Sequence, residues 1–371
     1  MKALLIGGSG ATGVPIALGL HERGYDLTIL HRGVHEAPDI ASFRHIHADP
    51  HFGTSVSDAL GTECFDAVVL GYGRVAQLAP LFEGRCDRLV ALGGIPIYPG
   101  YLDPDAEHPR GMPLLQREEG PRVDPAQMRN SMAAKFAAKM IEAEDAVFDA
   151  HARGSYSAAV IRYPQIYGPR SIGGLEASLL HRARDDRRFV LLPDAGLGVI
   201  TRCSAENAAW CVLEALDSPV AQGHAFNVAD EQQYTLAGWV ELALALIESD
   251  MRIIALPPQL NWAAAHLLPL GGTASQHGMV DISKARALLG FHDQMRPADA
   301  LARSLKWHAA RLDPDTVAGG SDVFDYALED RVKAALDELI FSLDDAQHEP
   351  EVIHPYPHPR EPTLAPDHRG R

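Results

Sequence analysis

The chain has 371 residues, 46% of them apolar, and its 33 basic against 49 acidic side chains give a net charge of -16. That length suits one generous α/β domain with a smaller lobe, and the acidic surplus repels a polyphosphate backbone, so no nucleic-acid partner is expected. No apolar run reaches transmembrane length, Lys2 leads straight into a strand with no room for a signal peptide, and Cys64, Cys86, Cys203 and Cys211 lack C-x-x-C spacing; a cytoplasmic protein with reduced thiols and no membrane association is expected.

Residues 2 to 7 read as a short apolar strand, the turn Gly7-Gly8-Ser9-Gly10-Ala11-Thr12-Gly13 follows, and a helical pattern opens at Val14 with Pro15 in its first turn. Gly24 stops that helix, and YDLTILH supplies a second strand. Gly8, Gly10 and Gly13 fit G-x-G-x-x-G, and Gly7, Gly10 and Gly13 fit G-x-x-G-x-x-G. Glycines so spaced permit a tight turn, a backbone within reach of a pyrophosphate and close packing of helix on strand, while the unpaired amides of the helix start meet the phosphate charge. A glycine turn alone also serves ordinary loops; the strand before, the helix after and the second strand at the expected distance point to a dinucleotide held by Gly7, Gly10, Ala11, Thr12 and Gly13. On these residues the opening resembles the extended short-chain dehydrogenase/reductases, the group that includes the sugar-nucleotide epimerases and dehydratases.

At the end of the second strand, where an acidic residue usually accepts the ribose hydroxyl, stand His31 and Arg32. A guanidinium can clamp a 2'-phosphate with charge-assisted hydrogen bonds, so NADP is favoured, with NAD possible as the alternative. The strand FRHIHAD ends at Asp49, where the resemblance implies a carboxylate against the adenine. His45, His47 and His51 have no carboxylate and cysteine set to complete a site, and no metal is expected. FDAVVLG is the fourth strand, placing Leu70 and Gly71 against the cofactor, and RLVALGG is the fifth; helical patterns at 14 to 23, 54 to 60 and 74 to 83 make the sheet parallel and helix-covered, a Rossmann-type doubly wound α/β fold.

After the fifth strand the resemblance implies a Ser or Thr, and Gly94 stands there. A loop over 99 to 124 leads to a helix with Asp124 as N-cap and Pro125 at its first position. The Y-x-x-x-K of the family falls on this helix in one of two registers. Ser131 to Lys135 keeps the lysine; Phe136 to Met140 keeps neither residue but aligns Glu144 with a frequent family glutamate, and this second register is preferred. The helix periodicity predicts an inward stripe of Met132, Phe136, Met140, Val147 and His151, flanked by Ala133, Ala137 and Ile141. No tyrosine occupies the catalytic position either way, so a proton donor is sought elsewhere: Tyr98 first, Tyr167 second, and Lys135 if the first register holds.

The segment from Arg162 through Gln165 and Tyr167 to Arg170 is similar to the family's R-x-x-N-x-Y-G-P, and Gln165 in place of Asn is expected beside the nicotinamide. Helix 204 to 217, strand AFNVAD, helix 235 to 248 and strand RIIALP continue the likeness, which covers roughly residues 1 to 312. The expected division is 1 to 170 for the cofactor, 171 to 312 for a smaller C-terminal substrate lobe and 313 to 371 for an appended helix and a Pro/His-rich strap. The helix, capped by Ser321, carries an apolar stripe through Val332 and Leu336 that a lobe or a second subunit would cover, so a homodimer is one expectation; His354, His358 and His368 are not taken as a metal set. Arg170, Arg202, His277, Arg286 and Tyr98 are the polar groups expected at the cleft. Two functions stay open: an NADP-dependent enzyme acting on a small carbonyl or hydroxyl compound without the usual triad, or a dinucleotide-binding protein with no redox turnover, such as a sensor, a scaffold or a lyase-like enzyme.

Overall fold

In the first strand, β1 (Lys2–Ile6), Leu4 and Ile6 face one side and Ala3 and Leu5 the other, and all four are buried. A strand apolar on both faces needs a layer on each, which dictates the architecture. The remaining strands are β2 (Asp26–His31), β3 (Arg44–His47), β4 (Phe65–Leu70), β5 (Cys86–Gly94), β6 (Ser157–Tyr163), β7 (Gln165–Tyr167), β8 (Phe189–Leu192), β9 (Arg202–Ser204), β10 (Ala225–Asn227) and β11 (Arg252–Ala255). The helices are α1 (Gly13–Glu22), α2 (Gly53–Leu60), α3 (Val75–Leu78), α4 (Ser131–Ala152), α5 (Gly174–Arg184), α6 (Ala205–Asp217), α7 (Leu236–Leu246), α8 (Ser283–Leu289), α9 (Pro297–Ala309) and α10 (Tyr326–Ser342). The computed structural model describes residues 1–129, 131–172, 174–268, 276–312, 322–343, 362 and 364–366. It divides into two units, Met1–Phe324 and Asp325–Arg371.

Within the first unit a seven-stranded sheet runs β10-β6-β5-β4-β1-β2-β3, parallel throughout. Ile16 and Leu20 of α1 and Val212 and Leu216 of α6 cover one face, and Val56 of α2, Leu78 of α3 and Val147 of α4 cover the other. This is the Rossmann-type doubly wound fold the sequence predicts. The order turns back between β1 and β4, so a crevice opens there at the carboxyl ends of the strands. A smaller lobe has its own core of Leu179, Val190, Trp239, Val240 and Leu301, and two short parallel pairs, β8 with β11 and β7 with β9. No described helix is long and apolar enough to cross a membrane.

Several expected boundaries move. Asp124 does cap a turn, accepting from the Ala126 amide at 3.0 Å, but that turn is a separate one over Pro125–Gln127, and α4 starts at Ser131. The chain extends at Met128, and Asp103 then takes the Arg129 amide. Along α4 the buried line is Ala133, Ala137, Glu144, Val147 and Ala150, whereas Met132 and Phe136 are exposed. The expected stripe fails at its start because Ala133 and Ala137 are the residues buried there, while Phe136 borders a cavity and Met132 is left exposed. Ser321 lies outside the described residues, as do His354, His358 and His368. In the second unit, Asp325 caps α10, taking the Leu328 amide at 3.0 Å.

Glu144 is buried because Arg162 of β6 meets it with both ends of its guanidinium, at 3.0 Å and 2.5 Å. Burial works against the charged guanidinium, but the Glu144 carboxylate outweighs it and holds the Arg162 pKa above its ordinary value. Arg162 Nη1 also donates to the Tyr98 hydroxyl (2.7 Å) and the Glu118 carbonyl (3.0 Å). We expect Glu144→Gln to lower the unfolding free energy by about 3 to 5 kcal/mol, because an unmatched cation stays buried, and Glu144→Leu with Arg162→Met to lose clearly less. Urea titration measures both, and a double variant as damaged as the single one would show that shape rather than charge matters here.

Candidate active site

The glycine turn after β1 is held by two backbone hydrogen bonds, Gly7 to the Leu30 carbonyl and Gly71 to the Ile6 carbonyl, both 2.9 Å. Gly7 and Gly8 have φ of 119° and 99°, which side-chain-bearing residues rarely adopt. At Gly13 a Cβ would stand 2.5 Å from the Gly8 carbonyl carbon, so helix and turn touch backbone to backbone. No side chain caps α1, and the amides of Ala11, Thr12 and Gly13 meet no acceptor among the described residues. Thr12 and Gly13 line a cavity of about 250 Å³ with Gly7, Gly10, Arg32 and Gly71 among others. A helix start with free amides and no acid in its first turn is suited to a phosphate.

Arg32 reaches this cavity from a loop organised by histidines. The Gly33 amide donates to His31 Nδ1 (3.0 Å), His31 Nε2 lies 2.7 Å from His45 Nδ1, and His45 Nε2 lies 2.9 Å from the Ile40 carbonyl. With Nδ1 accepting, the proton sits on His31 Nε2 and the chain runs His31 to His45 to Ile40 with both rings neutral. Burial, then the neighbouring His45 and His47, lower the His31 pKa. His31, Glu36 and His47 bring three ligand atoms within 4.8 Å of one another, a grouping the sequence spacing did not suggest. Both His31 nitrogens are already engaged in hydrogen bonds, however, so a metal would have to break one. Asp49 and Leu70 do not line the cavity. The Asp49 carboxylate turns to the His51 amide (3.0 Å) and ring (2.8 Å), which lower its pKa, and Leu70 is wholly buried under the sheet.

A larger cleft of about 860 Å³ adjoins the first cavity, and Gly10, Thr12, Gly71 and Leu92 line both. Ala11, Gln165, Gly94, Phe136, Met140 and Arg170 also border it. Gly94 and Met140 interlock: a Cβ at Gly94 would lie 3.0 Å from the Met140 Cε and 3.1 Å from the Pro96 Cδ. None of Gly94, Phe136 and Met140 can ionise. The three residues sought as proton donors are not free in the cleft. Tyr98 is 1% exposed and absent from its lining, with its hydroxyl between Asn227 Oδ1 and Arg162 Nη1, both at 2.7 Å, and burial pushes its pKa up to about 12. The Tyr167 ring borders the cleft, but its hydroxyl donates to Asp230 at 2.6 Å, and burial followed by that carboxylate raises its pKa. Lys135 is exposed and outside the lining. Of the polar groups expected here, Arg170 and Arg202 arrive, while Arg286 pairs with Glu231 at 2.6 Å and His277 receives the Val199 amide at 3.2 Å. The sequence reading missed Tyr101, inside a stretch read only as loop, and Trp239, read only as helix packing.

The fold is similar to that of solved sugar-nucleotide epimerases and dehydratases. Among solved structures the chain is similar to UDP-glucose 4-epimerase of Thermotoga maritima with UDP-glucose, at 14% identity and a TM-score of 0.65, covering 84% of this chain and 100% of that one. It is also similar to UDP-glucuronic acid 4-epimerase of Bacillus cereus in complex with NAD, at 14% identity and a TM-score of 0.63 with the same coverage. A third is dTDP-glucose 4,6-dehydratase of Bacillus anthracis in complex with NAD, at 13% identity and 0.63, covering 84% and 97%. No family model matches the sequence, and no curated protein matches it.

Two measurements probe this geometry. At Gly10 nothing lies within 4 Å of an added Cβ. Gly10→Ala should therefore keep the wild-type melting temperature while weakening dinucleotide binding, whereas Gly13→Ala should melt lower because its methyl strikes the Gly8 backbone; the reverse order in a thermal scan would contradict the turn geometry. The lowered His31 pKa means that the fold prefers the neutral ring, so its contribution is present above the ordinary value of 6.5 and is lost as pH falls. Wild-type protein should lose melting temperature between about pH 7 and about pH 5.5 more steeply than His31→Gln. Equal slopes would remove the histidine chain as the origin.

Proposed function

We propose that the protein binds NADP, with the phosphates at the start of α1 and the nicotinamide end reaching the larger cleft, and that it acts as an atypical oxidoreductase or epimerase-like enzyme on a small carbonyl or hydroxyl compound. What carries this reading is the continuity of the two cavities through Gly10, Thr12, Gly71 and Leu92. One end offers free amides and a guanidinium, the other a mostly apolar chamber of about 860 Å³. Gly7, Gly10, Ala11, Thr12 and Gly13 would hold the pyrophosphate, Arg32 the 2'-phosphate, and Gly71 and Gln165 the inner half. The bound dinucleotide would donate or accept hydride. This chain's residues orient the substrate and exclude water.

A second reading, dinucleotide binding without redox turnover, is favoured by one observation: Gly94, Phe136 and Met140 give the cleft no ionisable group at the positions where the resemblance implies a triad. Calorimetry and absorbance separate the two. We expect NADPH to bind more tightly than NADH, and Arg32→Ala to lose about 1 to 3 kcal/mol for NADPH only, the scale of a charged hydrogen bond. Equal affinities would overturn the NADP assignment. Loss of NADPH absorbance with any member of a carbonyl panel supports turnover, and tight binding with none supports the second reading.

A further inference from the structure

Three arginines are almost wholly buried in the first unit, and they are not alike. Arg162 has Glu144 at 2.5 Å and Arg182 has Asp322 at 2.5 Å. Arg202, which opens β9 and is 4% exposed, has no carboxylate within salt-bridge reach among the described residues. Its single side-chain hydrogen bond there runs from Nη1 to the Ile200 carbonyl at 3.2 Å, and its guanidinium lies over the Trp239 ring, 5.2 Å from the centroid. Glu176, the carboxylate whose charge acts on Arg202, accepts from the Ser304 hydroxyl at 2.9 Å. Burial lowers the Arg202 pKa to about 10, which still leaves it charged at neutral pH. A buried cation with no carboxylate in salt-bridge contact is costly, and one aromatic face together with the more distant Glu176 charge recovers only part of that cost. Arg202 lines the larger cleft. Tyr101 borders the same cleft, is 8% exposed, and its hydroxyl makes no hydrogen bond among the described residues. The Arg202 charge is felt at that hydroxyl.

We propose that Arg202 and the Tyr101 hydroxyl receive a carboxylate of the substrate, so that the compound turned over is a monoanionic carboxylic acid with an apolar or aromatic body. This rests on the reading of the cleft as the substrate chamber and names the class that fits it. The planar fork of a guanidinium matches a carboxylate in a bidentate way. The place offers one guanidinium, and the Glu176 carboxylate whose charge already acts on it disfavours more than one added negative charge, which argues against a diphosphate here. Leu236, Trp239, Leu175 and Ile200 form apolar walls suited to the rest of such a molecule.

The test uses the full chain without cofactor and measures binding of 3-phenylpropionate, 3-phenylpropionamide and phenyl phosphate by calorimetry. Wild-type protein should bind the carboxylate at least about tenfold more tightly than the amide, the scale of a charge-assisted hydrogen bond pair, and more tightly than the phosphate. Arg202→Met should lose that preference, and without ligand it should melt higher than wild type, since it removes an unmatched buried charge. A wild-type protein that binds acid and amide alike, or prefers the phosphate, overturns the proposal with no variant needed. So does Arg202→Met that melts lower and keeps the carboxylate affinity, because the arginine would then be structural. NADPH affinity is read separately on both proteins. Its absence from wild type defeats the dinucleotide reading and leaves the carboxylate result standing.

Discussion

The buried pair of Arg162 and Glu144 is the constraint on which the site's geometry depends. It ties β6, next to the edge strand β10, to α4, which helps cover one face of the sheet, and through the Arg162 Nη1 bonds it reaches the loop after β5 and the Glu118 carbonyl. Tyr98 passes the connection on to Asn227 of β10, whose amide donates to Glu118 Oε1 at 2.7 Å and whose side chain donates to the Gln116 and Asp281 carbonyls. A network whose members are all satisfied in a low-dielectric interior fixes orientation as well as position. It sets the rotation of α4, and with it the direction in which Phe136 and Met140 face the cleft.

That network also sorts the polar side chains into two groups. Tyr98 and Tyr167 have their hydroxyls engaged by Asn227, Arg162 and Asp230, so they act as structure. Arg202 and Tyr101 keep unused hydrogen-bonding capacity toward the cleft, as Arg32 and the amides of α1 do toward the smaller cavity. In a well-satisfied interior, the groups left over mark where something else belongs.

The sheet was legible in the sequence because its central parallel strands, buried on both faces, read as apolar runs between turn residues; Lys2–Ile6, Asp26–His31 and Phe65–Leu70 fall within a residue or so of expectation. The glycine turn was legible because only glycine meets its geometric demands at Gly7, Gly8 and Gly13. The cleft was less so. Periodicity along α4 cannot tell a side chain that faces the core from one that faces a cavity, and Phe136 is the second kind. Tyr98 looked like a free acid because nothing local shows that Arg162, 64 residues on, would meet its hydroxyl. Arg202 could be named as a polar group near the cleft, but its lack of a salt bridge among the described residues is a property of three-dimensional neighbours and has no local signature.

The contact between Gly94 and Met140 ties the histories of two positions together. A side chain at 94 needs the space that the end of Met140 now fills, with the Cε only 3.0 Å away, and Pro96 closes the other side. A side chain at 94 disturbs Met140, so substitutions at the two positions should be non-additive.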